Sequence, residues 1–393
     1  MSPPCSRGPT VPDHTRPGES TVKPVIVGGH LCLDLVPALS GPPVIQPGRL
    51  VQVGPLALSA GGCVGNTGFT LASLGVPVKL VGNVGADQLG RVLRSMIRRS
   101  VGDASGIRRC PGFGTSYSVV WETVGHDRAF WHHIGANAEF DGSAVTFERG
   151  ATFHLGYPTH LPALYNDDGA ALSRLLRRAR DSDVTISIDL AAVDPASEAT
   201  AVDWHRVLSS VLRDVDVITP SVDDLVALFP DRSGLDPIGW ADLLLTWGAA
   251  VVMVTAGAAG LYLRTGTEAR LRTAGWSLRS QAAGWAEREL WVPSAVNEVR
   301  STTGAGDAAA AGLLAGLANG NGPVEAAKLA ALTAAARIAG GPVADSYHVA
   351  GPVSSIQRPS HRWQLSRDAI YHGPRDRRLD EEHVDQDAGA GGA

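Results

Sequence analysis

Short apolar runs alternate with longer segments of helical period along most of this chain. Residues 24–29 form an apolar run stopped by a glycine pair, the pattern of a first buried strand. Residues 62–74 carry apolar positions at helical spacing and end at Gly75, a helix stop signal. Residues 78–84 then read as a strand and 87–99 as an amphipathic helix. Residues 153–155, 185–190, 216–219 and 250–255 read as further strands, with helices over 169–182, 203–213, 222–229 and 238–246. Strand–helix alternation of this kind predicts an α/β fold: a mainly parallel sheet between two helical layers.

Two stretches break the alternation. Residues 37–60 place Pro37, Gly41-Pro42-Pro43 and Pro47-Gly48 between β-prone pieces, which suits an excursion from the main body. Residues 116–124 and 128–134 alternate apolar and polar positions around Gly125-His126-Asp127 and read as a hairpin. Together these two stretches predict a small β lid, from about 34–60 and 112–136, outside the main sheet. Residues 266–290 are rich in Arg, Ala and Gly without a clear period and are expected to form an inserted loop. Two helices, 308–318 and 323–339, close the folded part. Residues 1–22 read as a disordered arm without the apolar core of a signal peptide, and 356–393 as a disordered tail. One domain, 23–355, lies between.

Composition narrows the classes of partner. The chain has 393 residues, 44% of them hydrophobic, enough for a substantial core, and a net charge of −5. That balance predicts neither a nucleic acid nor a membrane surface as partner. Cys5, Cys32, Cys63 and Cys110 show no metal-ligand spacing and no disulfide framework, so reduced thiols in a cytoplasm are expected. No apolar run is long enough to span a membrane.

The densest candidate chemistry is Ser301-Thr302-Thr303-Gly304-Ala305-Gly306-Asp307, followed by small residues to Gly316. Two glycines ahead of a helix let backbone N–H groups converge, with the positive end of the helix dipole behind them. Such a turn binds anions, phosphate above all. A carboxylate beside an anion site repels its ligand unless it takes a proton from the attacking group. The other reading of Asp307 is a helix N-cap.

The string Thr302 to Asp307 resembles the C-terminal signature of the ribokinase-like, phosphofructokinase-B type carbohydrate and nucleoside kinases. A second signature of that family fits upstream: Gly61-Gly62, Asn66, Leu74-Gly75 and Gly82-x-x-Gly85-x-Asp87-x-x-Gly90. The resemblance covers roughly residues 24–350. It implies ATP and Mg2+ as cosubstrate and metal, and a small sugar or a nucleoside as acceptor. It also implies Asp307 as the general base and Gly304, Ala305 and Gly306 as the anion hole.

On the acceptor side the resemblance points to Asp34, Gly61, Gly62, Asn66 and Asn137. On the nucleotide side it points to Ser221, Asp224, Thr255, Gly257, Gly260 and Thr303, with Asp224 placing magnesium through water. Ser221 and Asp224 stand where the family has Asn and Glu. Ser301 stands where many relatives carry an acid that binds a monovalent cation, which puts potassium activation in question. Cys63 follows the glycine pair where ribokinases usually have Lys, which weakens ribose as acceptor. A homodimer through the lid is a possible assembly.

Two features of the sequence point to other classes. Gly304-x-Gly306-x-x-Ala309 with Glu325 mimics a dinucleotide fingerprint, but that fingerprint needs a βαβ unit, and a second helix follows here. A non-catalytic sugar- or nucleotide-binding descendant is the other. The intact glycine turn and Asp307 speak against it.

Overall fold

The structure, a computed structural model, describes residues 22–42, 45–122, 128–296, 298–346 and 371–372. The expected arm, the expected tail, the lid turn at Gly125-His126-Asp127 and residues 347–355 of the expected domain lie outside the described residues, apart from residues 22 and 371–372. In chain order the strands are β1 (Val25–Gly29), β2 (Cys32–Pro37), β3 (Leu56–Gly61), β4 (Val78–Gly85), β5 (Ile107–Cys110), β6 (Tyr117–Trp121), β7 (Ala129–His133), β8 (Thr152–Gly156), β9 (Thr185–Asp189), β10 (Val217–Ile218), β11 (Val251–Thr255), β12 (Leu261–Thr265), β13 (Glu289–Val292) and β14 (Tyr371–His372). The helices are α1 (Gly62–Ser73), α2 (Gln88–Val101), α3 (Pro162–Asp181), α4 (Trp204–Val211), α5 (Val222–Leu228), α6 (Pro237–Thr246), α7 (Glu268–Arg272), α8 (Trp276–Arg279), α9 (Ala282–Trp285), α10 (Ala305–Ala318) and α11 (Pro323–Ile338).

Ten strands form the main sheet in the order β14-β13-β12-β11-β10-β9-β8-β1-β4-β5. From β11 to β5 every pairing is parallel. Parallel strands buried on both faces need apolar residues on both. In β1, Val25 and Val27 pack on one face and Ile26 on the other. In β11, Val251 and Met253 oppose Val252 and Val254 in the same way. Helices α3 to α6 cover one face, and α1, α2, α10 and α11 cover the other.

The lid is a separate four-stranded sheet in the order β3-β2-β6-β7. Strand β2 pairs antiparallel with β3 and parallel with β6, and β6 pairs antiparallel with β7. Only His30 and Leu31 separate β1 from β2, so the first body strand runs almost directly into the lid.

Three expectations are corrected. Residues 266–290 are not an unstructured insert. They form α7, α8, α9 and the start of β13, and they bury Leu271, Leu278 and Trp285. Each helix is too short to show a 3.6-residue period in sequence, which is why the segment looked aperiodic. Strands β5, β12 and β13 were not anticipated, and β11-β12-β13 is an antiparallel addition to the parallel sheet. Helix α3 starts at Pro162, seven residues before 169, and carries a non-helical break at Asn166–Gly169.

Asp216 ties the 266–290 segment to the sheet. It is fully buried and accepts bonds from Ile186 N at 2.9 Å and Gly275 N at 3.0 Å. Arg180 Nη2 lies 2.8 Å and Arg270 Nη2 3.5 Å from its Oδ1. Removing one partner of a buried ionic cluster leaves uncompensated charge and costs roughly 3–5 kcal/mol. Asp216→Ala is therefore expected to lower unfolding free energy by about that amount, read from urea denaturation. A loss below about 1 kcal/mol would show that the cluster does not anchor this segment.

No helix among the described residues is long and apolar enough to cross a membrane. Cys32, Cys63 and Cys110 are buried free thiols.

Candidate active site

Helix α10 opens on Gly304, which takes φ +75°, a left-handed conformation that suits glycine. A Cβ there would sit 3.1 Å from Asn66 Cγ. The first regular helical bond of this end runs from Ala308 N to Gly304 O, 3.0 Å. The N–H groups of Gly306 and Asp307 therefore precede the hydrogen-bonded ladder, as at any helix start. No side chain caps this end. The hydroxyl of Thr303 is buried with no partner among the described residues. The turn is thus a set of oriented donors at the positive end of a buried helix, which fits a phosphate.

Asp307 lies in the first turn of α10, 2% exposed. Its Oδ2 accepts from Tyr157 OH at 2.7 Å and Asn66 Nδ2 at 3.0 Å, and its Oδ1 from Thr67 Oγ1 at 3.0 Å. Burial pushes its carboxyl above the usual carboxylate range, and the Tyr157, Thr67 and Asn66 bonds pull it back toward the ionised form. The N-cap reading fails on geometry, because Gly304 holds the N-cap position and the Asp307 carboxylate is turned to α1 and to the end of β8.

Asp34 sits on β2, opposite Ser59 of β3 and Ser118 of β6. It is 6% exposed and accepts from Cys32 Sγ at 3.3 Å. Burial raises its carboxyl to about 6, and the charge of Asp307 adds to the rise. Gly61 lies against it: a Cβ would fall 2.1 Å from Asp34 Oδ2. Gly62, at φ +69°, would put a Cβ 2.5 Å from His30 Nδ1. The glycine pair thus leaves room for the side chains of Asp34 and His30. Cys63 is buried against Gly156, where a Cβ would lie 1.9 Å from that of Cys63. Asn137 is placed differently from expectation. It is fully buried, and its amide bonds both Leu31 N (3.2 Å) and Leu31 O (3.1 Å), so it pins the β1–β2 junction.

On the other side, Ser221 and Asp224 close a capping box on α5. Asp224 Oδ2 accepts from Ser221 N at 2.9 Å and Ser221 Oγ at 2.6 Å, and Asp224 N donates to Ser221 Oγ at 3.0 Å. Thr255 N bonds Pro220 O at 3.0 Å, which brings Thr255 beside Ser221. Gly257 and Gly260 follow with positive φ, and Gly257 faces open space.

Four residues not singled out in sequence join the site. Tyr157 adopts φ +60° just past β8, and that turn carries its hydroxyl to Asp307. Asp189 ends β9 with 4% exposure, and burial plus the charges of Asp307 and Asp224 push its carboxyl well up. An acid ending an apolar strand was the signal for it. Arg128, ahead of β7, donates to Thr302 Oγ1 at 2.6 Å. Arg337 donates to Thr303 O at 3.1 Å. Burial raises the carboxyls of Asp189, Asp224 and Asp307, and the charges of the other two add to the rise at Asp189.

A cavity of about 350 Å³ opens beside the site, lined in part by Ser59, Asn66, Thr70 and Arg337. Asp307 and Asp34 do not line it.

A large, mostly parallel sheet with a separate small β lid is the ribokinase-like fold. Residues 23–346 match the pfkB family of carbohydrate kinases, and the chain belongs to that family. Among curated proteins it is 25% identical to a fructokinase-1 of Oryza sativa subsp. japonica over 137 residues, 34% of this chain and 41% of that protein. The match thus spans less than half the length of that relative. Among solved structures it is similar to the Arabidopsis thaliana ribokinase complexed with ribose and ATP (TM-score 0.57, 18% identity, 81% of this chain and 93% of that one). It is also similar to the Burkholderia thailandensis nucleoside kinase in complex with inosine (TM-score 0.58, 19% identity, 81% and 91%). Ribokinase-like kinases use ATP with Mg2+.

The Asp224 carboxyl is raised from 3.8 to about 6, chiefly by burial. The folded chain then binds this proton more tightly than the unfolded chain, so stability from this group is lost as pH rises from about 4 to about 6. Asp224→Asn is expected to be more stable relative to wild type at pH 7 than at pH 4, by about 2 kcal/mol. Urea unfolding of both proteins at the two pH values reads it, and an unchanged difference would contradict the shift.

Proposed function

We propose that this protein transfers the γ-phosphoryl group of ATP to a hydroxyl or hydroxymethyl group of a small sugar. The observation that carries the reading is Asp307. A buried acid held by three donors stands within one helical turn of N–H groups at the open end of α10. In this reading the acceptor lies over Gly61, Gly62 and Asn66, with its hydroxyls held by Asp34. Asp307 takes the proton of the attacking hydroxyl as the new O–P bond forms and the bond to ADP breaks. The N–H groups from Gly304 to Gly306 and the Thr303 hydroxyl meet the charge that develops on the transferred group. Ser221, Thr255, Gly257 and Gly260 border the nucleotide.

Asp189 and Asp224 would hold Mg2+, Asp224 through water, and the ion would neutralise phosphate charge when bound. No activating monovalent cation belongs to this reading. Ser301 brings no charge, and its hydroxyl accepts from Thr303 N at 3.2 Å.

A nucleoside is the second acceptor class. The rings of His30, His132, His160 and Tyr157 lie together at the lid–body junction, centroids 4.9 to 6.0 Å apart. Such a wall suits a flat base as well as a sugar. ATP consumption across a panel of sugars and nucleosides separates the two. The lid also exposes Leu56, Leu58, Phe130 and Trp131, each 42% or more accessible, which supports pairing of two subunits through the lid. Sedimentation equilibrium is expected to give a dimer, and a monomer at micromolar concentration would end that assignment.

Asp307→Asn retains size and hydrogen bonding but cannot take the proton. General-base catalysis is typically worth roughly 10²–10⁴-fold. kcat is expected to fall within that range, with ATP affinity held within a few-fold. A folded variant with near-normal turnover on the true acceptor would remove Asp307 from the mechanism. Wild type that binds an acceptor but turns over no nucleotide would mark a non-catalytic descendant.

Tyr157→Phe deletes a bond that favours ionised Asp307. The acid limb of the kcat/KM profile is then expected to move to higher pH. A limb that stays in place would show that the Tyr157 hydroxyl does not tune the base.

A further inference from the structure

Three side chains with soft or borderline donor atoms meet where the lid joins the body, and the phosphoryl-transfer reading uses none of them as acid or base. His30 follows β1, Cys32 opens β2 and His132 lies on β7. One ligand atom from each comes within 4.8 Å of the other two. His30 Nε2 and His132 Nε2 are 3.1 Å apart. Two nitrogens bound to one tetrahedral zinc at about 2.0–2.1 Å stand about 3.3 Å apart. The pair is thus already at the spacing of two ligands.

The surroundings fit ligation. A histidine that binds metal through Nε2 carries its proton on Nδ1 and gives it to an acceptor. His132 Nδ1 lies 3.0 Å from Ser118 Oγ. Ser118 Oγ also lies 3.7 Å from Cys32 Sγ, so one hydroxyl touches two of the three residues. Burial keeps His30 neutral, with its pKa well below the usual value. His132 is exposed as a residue, but its ring is desolvated beside His160 and its pKa is lowered to about 4. Neutral imidazoles offer lone pairs.

His160 adds a second pointer to a ligand. Its Nε2 lies 3.0 Å from the Ala192 carbonyl, so that nitrogen carries the proton and Nδ1 carries a lone pair. That Nδ1 is buried without a partner among the described residues. His30 Nδ1 is buried without one as well, so His30 lacks the acceptor that Ser118 gives His132. A simple imidazole–imidazole hydrogen bond explains the 3.1 Å contact alone. It does not account for the buried lone pair of His160, whose ring centroid lies 5.2 Å from that of His30.

We propose that His30, Cys32 and His132 form a binding site for one thiophilic divalent cation of the zinc class, which ties β7 of the lid to the β1–β2 junction. Two nitrogens and a sulfur select such an ion over Mg2+. Binding forms two N–metal bonds and one S–metal bond, and the Cys32 thiol proton leaves to water. Three protein ligands leave one tetrahedral position open. The ion holds the lid on the body. Under the kinase reading it slows turnover, because acceptor and product must pass a lid that no longer opens.

Co2+ is the probe, titrated into the metal-stripped full chain. One equivalent is expected to give a thiolate-to-cobalt band in the near ultraviolet with tetrahedral d–d bands, and Zn2+ should displace it. Cys32→Ser should lose the thiolate band, and His132→Ala should lose the one-equivalent transition. Ser118→Ala, which removes the partner of His132, should weaken Zn2+ roughly 10–100-fold. Thermal melts check that each variant is folded.

Absence of a thiolate band at millimolar Co2+, or its survival in folded Cys32→Ser, would overturn the site, as would equal Zn2+ affinity in wild type and His132→Ala. The spectra do not depend on turnover, so failure of the kinase reading leaves this test intact. If the spectra hold but Zn2+ does not inhibit an active enzyme, the lid-tying role falls.

Discussion

The site depends on one constraint: a carboxylate buried beside the open end of a helix must be matched by donors. Asp307 has three, and two come from consecutive residues of α1. They reach it because α10 is built almost wholly of Ala, Gly and Leu and is buried from Asp307 to Leu317. Small side chains let its neighbours approach closely. A Cβ on Gly312 would lie 2.7 Å from Ala330 Cα, and one on Gly316 2.8 Å from Ala326 Cα. That packing against α11 leaves the middle of α10 little freedom to shift. The glycine turn and Asp307 both belong to the N-terminal end of this helix.

Charge is organised around the same point. Asp189, Asp224 and Asp307 lie at the carboxyl ends of parallel strands and around the α10 turn, where ligands bind in sheets of this kind. Burial raises all three carboxyls, and at Asp189 the charges of Asp307 and Asp224 add to it. Arg128 and Arg337 reach the turn itself, at Thr302 and Thr303, from the lid and from α11. Positive charge is thus brought to the turn from its edges, and the turn's own donors are all backbone or hydroxyl.

The lid is coupled to this centre by short connections. Two residues separate β1 from β2, and Asn137 clamps Leu31 between them through both amide atoms. A movement of β2 would carry Asp34 with it. The histidine cluster sits at the same junction, so whatever binds there acts on the angle between lid and body.

Much of the frame was legible in the sequence because it rests on local rules. Short continuous apolar runs marked β1, β8, β9 and β11, and helical period marked α1, α2 and α6. The Thr302–Asp307 and Gly61–Asn66 motifs marked two stretches that meet in the fold, where Asn66 bonds Asp307. What tertiary structure alone decided came from contacts far apart in the chain. Asn66 and Thr67 meet Asp307 across about 240 residues, Arg128 meets Thr302 across 174, and His30 meets His132 across 102. Tyr157 reaches Asp307 through a left-handed turn that nothing in its own sequence announces. Asn137, a plausible ligand by motif, proved to be a clamp, since an amide serves backbone and sugar alike. The 266–290 segment failed for the opposite reason. Its helices are four or five residues long, too short for a period, and only burial against β12, β13 and α11 makes them form.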